Sequence, residues 1–261
     1  MRSEVVTLLL SAVAGIIGTG IGGVMGALVK DKSPSAVGNM LSFAAGVMLG
    51  VTAFEMLPEA VKSADVFSAE IYGRLLVICT VFAGVGLAAL LSLVTDGISK
   101  NKRLEHAKNG KKQGENGLKK AGMITLAAIA LHNIPEGMAI GASGAGSLLA
   151  GIIVALVIAL HNVPEGMAIS APLVGGGMKA GRAVALTILA GCATLVGAVI
   201  GVVVGGINAL ASGISVAFAS GVMIFVACFD LLPLSSRMKN SFPSLAFFFG
   251  VATSLVLSLL F

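Results

Sequence analysis

Long apolar runs separated by short polar connections make up most of this 261-residue chain. Each run has nineteen or more residues, close to the roughly 20 that an α-helix needs to cross the hydrocarbon core of a bilayer. The runs are continuous, whereas the strands of membrane β-barrels alternate apolar and polar residues over about ten positions. The pattern predicts an all-α integral membrane protein with eight transmembrane helices, at residues 5–29, 37–58, 72–95, 122–143, 147–171, 182–208, 213–234 and 243–261.

The composition excludes a soluble globular protein. Hydrophobic residues make up 57% of the chain and charged residues only 11%, whereas soluble domains have about 25% charged residues. The net charge of +5 does not indicate nucleic-acid binding, because the basic residues lie in connections and not beside aromatic side chains. The excess of cations instead indicates how the chain is oriented in the membrane. We expect a single transmembrane domain over residues 1–261, surrounded by the lipid bilayer.

The longest polar segment, residues 96–121, is rich in lysine and contains several glycines, so we expect a flexible loop there. Lysine and arginine are enriched on the cytoplasmic side of membrane proteins. Placing this loop in the cytoplasm also places most of the other basic residues there, when the helices are counted through the bilayer. Both termini are then external. We expect the cell membrane to be the location of the protein.

Two pairs of segments repeat within the chain. ALHNIPEGMAIGA at 130–142 recurs as ALHNVPEGMAISA at 159–171, and SFAAGVMLGVTAFEMLP at 42–58 resembles AFASGVMIFVACFDLLP at 217–233. The members of each pair cross the bilayer in opposite directions when the helices are counted in order, so the repeats are predicted to be inverted. We therefore expect a 3+2+3 arrangement of helices. Carriers that work by alternating access have such repeats, and their substrates bind near the middle of the membrane.

Ionisable and amide side chains lie in the middle of the two most similar runs: His132, Asn133, Glu136, His161, Asn162 and Glu165. A charged side chain at the centre of a membrane helix costs about 2.5–3.5 kcal/mol on insertion scales, so the glutamates need a compensating partner. A proton, a fixed cation or a bound metal ion would serve. Neither run contains Lys or Arg, which leaves protons and a metal ion.

The spacing of these side chains favours a metal ion. Residues i and i+4 share a face of a helix, so His132 stacks over Glu136 and His161 over Glu165. The asparagine that follows each histidine is turned toward a neighbouring face. Imidazole with carboxylate suits zinc or ferrous iron better than magnesium or calcium, which prefer oxygen ligands alone. A proton relay and a pair of hydrogen-bonded packing motifs are weaker alternatives, because neither requires the same stacked pair twice.

An enzyme is the competing class of protein. A membrane-embedded metal-dependent oxidoreductase would use similar ligands, but di-metal oxidases in helix bundles have Glu-x-x-His pairs, and the order here is His-x-x-x-Glu. A metalloprotease of the usual kind would need HExxH, which the sequence lacks. We therefore expect a transporter without enzyme activity. The divalent metal ion is then its substrate, and no resident cofactor is expected.

The doubled HNxPEG motif, within eight apolar runs and with a long segment between the third and fourth, resembles the ZIP family of divalent metal-ion transporters. The resemblance covers essentially the whole chain. It implies transport of zinc, or of iron, manganese or cadmium, into the cytoplasm. It also implies a binuclear centre: the two histidines and two glutamates are the principal ligands, Met48 is a thioether ligand, and Asn133 and Asn162 match the second metal position, with the glutamates as bridges. Glycine-rich helix faces would permit a homodimer.

One departure from the family pattern concerns the second metal position. Many members have a glutamate in the sixth run, where this chain has Thr194 within AGCATLVGA. Two divalent ions bring four positive charges, which the two glutamates neutralise only in part in a low-dielectric site. We expect one well-occupied metal position and a weak or absent second one.

Two further acidic residues lie toward the ends of apolar runs. Glu55 is near the external end of the second run and Asp230 is near the cytoplasmic end of the seventh, and each is followed by a proline three residues later. They are either way stations for a cation on its path or residues at the membrane surface that reach water, where a charge costs far less.

Overall fold

The computed structural model describes residues 2–28, 34–64, 70–103, 110–146, 148–204, 209–236 and 242–260. These residues form eight long helices and no strand, which confirms the all-α prediction for this part of the chain. The helices are α1 (2–28), α2 (34–64), α3 (Glu70–Arg103), α4 (Gly110–Gly146), α5 (Leu148–Gly175), α6 (Ala180–Val204), α7 (209–236) and α8 (Pro243–Leu260).

The lengths and surfaces of these helices suit a bilayer. Seven of them are long and apolar enough to cross a membrane, and α8 is slightly shorter, with 18 residues. At 1.5 Å per residue, α8 spans about 27 Å, close to the roughly 30 Å of a hydrocarbon core. Large apolar side chains lie on the outside of the bundle; Leu28, Phe82 and Leu259, for example, are 68%, 69% and 78% exposed. An exposed apolar surface of this extent fits lipid better than water.

The predicted flexible loop at 96–121 is wrong for most of its length. α3 continues to Arg103 and α4 begins at Gly110, so residues 96–103 and 110–121 are helical, while 104–109 lie outside the described residues. Lysine, glutamate and glutamine are good helix formers, and a helix that leaves the bilayer needs no apolar side chains to continue. Hydropathy therefore located the apolar parts of these two helices and missed their polar ends.

Within the described residues, α1, α2 and α7 each contain a π-helical stretch, at Val13–Gly18, Thr52–Met56 and Val226–Leu231 respectively. The α-helical segments on either side are Arg2–Ala12 and Thr19–Leu28, Pro34–Val51 and Leu57–Ala64, and Ala209–Phe225 and Leu232–Ser236. A π-helical turn accommodates an extra residue and is frequent at functional sites. The stretches in α2 and α7 match in the repeat and contain Glu55 and Asp230, so both predicted way stations lie on locally widened turns.

The helices pack in two groups. In the first group α1, α4, α5 and α6 contact one another, and in the second α2 packs along α8, α3 packs along α7, and α2 contacts α7. The groups meet mainly where α2 contacts α5 and where α4 contacts α7. The two helices that contain the HNxPEG motifs therefore belong to the first group and also form its contacts with the second.

Glycines bring helices of the first group into backbone contact at matching positions. Gly22 of α1 lies against the Val163 carbonyl of α5, and Gly197 of α6 lies against the Ile134 carbonyl of α4. Val163 and Ile134 occupy the same place in the two HNxPEG motifs. A Cβ atom at either glycine would collide with the carbonyl oxygen, so these approaches require the absence of a side chain.

Helices of the second group make the same kind of contact. Gly46 of α2 lies against the Phe247 carbonyl of α8, and its counterpart in the repeat, Gly221 of α7, lies against the Val81 carbonyl of α3. Matching glycines thus make matching contacts in the two halves of the chain. The inverted 3+2+3 arrangement stays a prediction, and these matched contacts support it.

Candidate metal centre

His132 and Glu136 on α4 and His161 and Glu165 on α5 form one buried cluster. One ligand atom from each of the four side chains lies within 4.8 Å of the other three. Each of these residues is at most 3% exposed. The structure thus brings together, in the buried interior of the bundle, the four side chains that the sequence pattern predicts as the principal metal ligands.

One carboxylate oxygen lies between the two imidazoles. Glu136 Oε1 is 2.5 Å from Nε2 of His161 and 2.7 Å from Nε2 of His132. Glu165 Oε1 is 3.4 Å from Nε2 of His132, beyond the usual range of an N–H···O hydrogen bond. Around a tetrahedral zinc ion with bonds of about 2.0–2.2 Å, neighbouring ligand atoms are about 3.4 Å apart. Small side-chain movements would therefore fit the four groups to one metal ion.

Several polar atoms of the cluster have no hydrogen-bond partner. Both carboxylate oxygens of Glu165, Oε2 of Glu136 and the Nδ1 atoms of His132 and His161 are buried in this state. A buried polar atom without a partner costs about 1–3 kcal/mol, and more when it is charged. A divalent cation in the cluster would offset this cost for the carboxylate oxygens, and the Nε2 atoms that face the cluster would supply its nitrogen ligands. The chemistry of the donor set therefore fits a metal ion.

Proline shapes the turn of each helix that contains the ligands. Pro135 in α4 and Pro164 in α5 lie inside continuous helices. Proline has no N–H group, so the carbonyls of Leu131 and Leu160 lose the donor that a residue four positions later normally provides. Such carbonyls are tolerated at membrane depth where they line a polar site. Each ligand-bearing turn therefore has backbone polarity as well as polar side chains.

Asn133 and Asn162 are fully buried, and their amide groups bind backbone carbonyls. Asn133 Nδ2 donates to the Ala190 carbonyl of α6 at 3.0 Å, and Asn162 Nδ2 donates to the Ala14 carbonyl of α1 at 3.0 Å. Their Oδ1 atoms are buried without a hydrogen-bond partner. The family resemblance matches these asparagines to a second metal position, which stays a prediction. No pattern in the sequence predicts the hydrogen bonds from these asparagines to α6 and α1.

Met48 and Thr194 lie in the packed interior. Met48 is 1% exposed and belongs to an apolar cluster that also contains Met223, its counterpart in the repeat. The Thr52 hydroxyl donates to the Met48 carbonyl at 2.8 Å and lies 3.6 Å from the Met223 sulfur. Thr194 is fully buried in α6 and packs against Gly15 of α1. The roles of Met48 and Thr194 at the metal site stay predictions.

A cavity of about 350 Å³ extends from the cluster to exposed residues of α2. Glu136 and His161 line its buried part, and it is also lined by Glu55, which is half-buried, and Glu59, which is exposed. A cavity of this volume has room for several water molecules and therefore for a hydrated cation. Glu59 was not among the residues predicted from the sequence, although its spacing of four from Glu55 places it on the same helix face. Asp230 is half-buried on α7 and does not line this cavity.

A family model described as ZIP zinc transporter matches residues 95–258, more than half of the chain. The chain belongs to the ZIP family. Relatives named zinc transporter ZupT include that of Akkermansia muciniphila, 34% identical over 239 residues that cover 89% of this chain and 88% of the relative. The ZupT of Corynebacterium glutamicum is 33% identical, with 94% and 95% covered, and that of Chlorobium chlorochromatii is 32% identical, with 85% and 84% covered.

Membership of the ZIP family decides between the function classes that the sequence left open. Its members are transport proteins and not enzymes, so the alternative of a membrane-embedded oxidoreductase has no support. The family and the apolar helices together make this chain an integral membrane protein. The resemblance to the ZIP family that the doubled HNxPEG motif indicates is confirmed.

Proposed function

We propose that this ZIP protein transports divalent transition-metal cations, foremost zinc, across the membrane. The observation that supports the proposal most directly is the buried set of two imidazoles and two carboxylates, whose ligand atoms lie within 4.8 Å of one another. Such a mixed nitrogen and oxygen set suits zinc or ferrous iron. Relatives that match most of the chain are named zinc transporters. The metal ion is cargo in this proposal and not a resident cofactor.

The path of the cation is proposed to begin at the cavity beside α2. Glu59 and Glu55 would attract a hydrated ion, which then reaches Glu136 and His161 in the buried part of the same cavity. Carboxylate and imidazole ligands would replace its water there. Asp230, the counterpart of Glu55 on α7, would receive the ion after it leaves the cluster. In the predicted orientation this path leads into the cytoplasm.

Alternating access is proposed to come from movement of α4 and α5 against the second helix group. The glycine contacts of Gly22 with α5 and of Gly197 with α4 hold α1 and α6 close to these helices, so the four helices would move together. The contacts of α2 with α5 and of α4 with α7 would then change. Rigid-body movement of one repeat unit against another around a fixed site is the usual behaviour of carriers built from inverted repeats.

Zinc uptake into proteoliposomes tests the function. Liposomes that contain the purified protein should take up zinc faster than protein-free liposomes, and the rate should saturate as the zinc concentration rises. Ferrous iron, manganese and cadmium added in excess would rank the cations by competition. If liposomes with correctly folded protein take up zinc no faster than protein-free liposomes, the proposal is wrong.

Equilibrium binding to the purified protein is expected to give fewer than two tightly bound zinc ions per chain. Glu136 and Glu165 bring only two negative charges to a buried site, which is too few for two divalent ions. Thr194→Glu should raise the number of bound ions, because it adds a carboxylate to α6. Thr194→Gln adds a side chain of the same size without a negative charge, and should leave the number unchanged. Two tight ions in the wild type would refute the charge argument.

Residue 110 is expected to face the cytoplasm. A cysteine placed there by Gly110→Cys, with the native cysteines Cys79, Cys192 and Cys228 replaced by alanine, should react with a membrane-impermeant maleimide only in permeabilised cells. A cysteine at position 3, introduced by Ser3→Cys, should react in intact cells and serves as the external control. Reaction of residue 110 in intact cells would reverse the predicted orientation. The cell membrane as location and the homodimer stay predictions.

A further inference from the structure

The asparagine beside each histidine makes a bond that the transport proposal leaves unexplained. Asn133 Nδ2 donates to Ala190 of α6 and Asn162 Nδ2 donates to Ala14 of α1, each at 3.0 Å. We propose that both asparagines are positioning residues, whose NH2 groups hold α4 and α5 in the rotation that turns their histidines toward each other. The inference rests on the proposed function, because it concerns the same metal site.

The two bonds are equivalent within the repeat even though the acceptor helices differ in register. From acceptor to glycine contact there are eight residues on α1, from Ala14 to Gly22, but seven on α6, from Ala190 to Gly197. The π-helical stretch Val13–Gly18 lies in this part of α1 and accommodates one extra residue. The local deformation of α1 therefore presents a carbonyl at the place where the undeformed α6 presents its own.

The position of each asparagine explains how it would orient the site. Successive residues of an α-helix are about 100° apart around its axis. When Asn133 is held against α6, the preceding His132 is turned away from α6, and the contacts of His132 with Glu136 and Glu165 show that it faces the cluster. Asn162 and His161 have the same relation on α5, with α1 as the anchoring helix.

A proline weakens the helix at the turn where each asparagine forms its hydrogen bond. Pro135 and Pro164 follow the asparagines two residues later and remove a helical hydrogen bond. The backbone at this turn is therefore less restrained than in a helix without proline. A side-chain bond to a neighbouring helix supplies a restraint that the backbone has lost, and side-chain interactions that orient metal ligands commonly change metal affinity by about 10–100-fold.

The NH2 group of each asparagine makes it possible to distinguish a positioning role from a role as metal ligand, because only the positioning role requires it. The Oδ1 atoms of both asparagines are buried without a hydrogen-bond partner. The hydrogen bond from each NH2 group also fixes the direction of the Oδ1 atom in the same side chain, whether or not that oxygen contacts an ion. Aspartate keeps an oxygen and loses the donor. At position 133 or 162 a carboxylate would face a backbone carbonyl oxygen, and two acceptors in contact repel each other.

Zinc affinity of aspartate and alanine variants tests the positioning role. Asn133→Asp and Asn162→Asp are expected to bind zinc at least roughly tenfold more weakly than the wild type, and no more tightly than Asn133→Ala and Asn162→Ala. A role as ligand alone gives the reverse order, because a carboxylate is a stronger ligand than an amide and alanine is none. Aspartate variants that bind zinc more tightly than the alanine variants would overturn the proposal.

Unfolding temperatures measured in detergent without metal provide the second measurement. The alanine variants should unfold at a lower temperature than the wild type, since each loses a buried hydrogen bond to Ala190 or Ala14. An unfolding temperature equal to that of the wild type would mean that the bonds do not hold the helices. A lowered unfolding temperature with unchanged zinc affinity would mean that they stabilise the fold and do not orient the ligands. Either result would contradict the proposal.

Asn39→Asp is the matched control. Asn39 Oδ1 accepts a hydrogen bond from the Phe242 N–H group at 2.7 Å, and aspartate keeps that acceptor. This variant should bind zinc as the wild type does. Failure of the proposed function can be distinguished from failure of this inference. If the proposed function is wrong, the wild type neither binds nor transports zinc. If only this inference is wrong, the wild type binds zinc but the order of the variants is reversed.

Discussion

Replacing both Glu136 and Glu165 by alanine is expected to abolish zinc uptake into proteoliposomes. Among the residues that the structure describes, these are the acidic members of the buried cluster. Their removal leaves two imidazoles, which cannot neutralise a divalent cation in a low-dielectric site. Loss of a residue that only contacts a metal ligand commonly changes metal affinity or activity by about 10–100-fold. Loss of both carboxylate ligands should therefore reduce the uptake rate by at least roughly 100-fold. The measurement is the initial rate of zinc uptake.

The two single variants refine this result. Glu136→Gln is expected to lose more activity than Glu165→Gln, because Glu136 Oε1 lies 2.7 Å and 2.5 Å from the two imidazoles, whereas Glu165 contacts one at 3.4 Å. Glu4→Ala, at the exposed start of α1, is the control and should transport at the wild-type rate. Uptake retained by a folded double variant would place the transport site elsewhere in the chain.

Gly197→Ala is expected to destabilise the protein and reduce zinc uptake together. The added Cβ atom would collide with the Ile134 carbonyl of α4, a backbone atom that cannot move aside as a flexible side chain could. Relief of the collision requires α4 and α6 to separate beside the HNxPEG motif. Overpacking of this kind costs about 1–3 kcal/mol. We therefore expect a lower unfolding temperature in detergent and slower uptake in proteoliposomes.

Gly86→Ala is the matched control for this substitution. Gly86 lies on the exposed side of α3, and a Cβ atom there would have no atom within 4 Å outside its own helix and chain neighbours. Alanine is the better helix former by about 1 kcal/mol, so this variant should unfold at the wild-type temperature or above it. If Gly197→Ala behaves in the same way, the close approach of α4 and α6 does not exist in the folded protein.

Local periodicity accounts for the parts of the fold that could be predicted from the sequence. Apolar runs of sufficient length predict membrane helices whatever surrounds them, and all eight appear as helices within the described residues. The same reasoning failed for residues 96–121, because polar residues also form helices once a helix has left the apolar layer. The π-helical stretches were not predictable either, since they depend on how one helix packs against the next.

In the candidate site, too, the features that depend on local spacing could be predicted and those that depend on packing between helices could not. The pairing of His132 with Glu136 follows from their spacing on one helix, and the repeated motif suggested that α5 would provide a second pair. Which atoms face each other across helices depends on packing that no local pattern encodes. The bonds of Asn133 and Asn162 to other helices belong to this class.

Because the glycine contacts repeat, the effect of a substitution in one half of the chain can be compared with that of the equivalent substitution in the other half. The same substitution can be made at Gly22 or at Gly197, each of which touches the equivalent residue of a different HNxPEG copy. If the repeats are inverted, one substitution disturbs the contact nearer the outside and the other the contact nearer the cytoplasm. Equal effects on uptake would mean that loading and release meet similar kinetic barriers. Unequal effects would reveal a preferred direction of travel that arises from the differences between two similar halves.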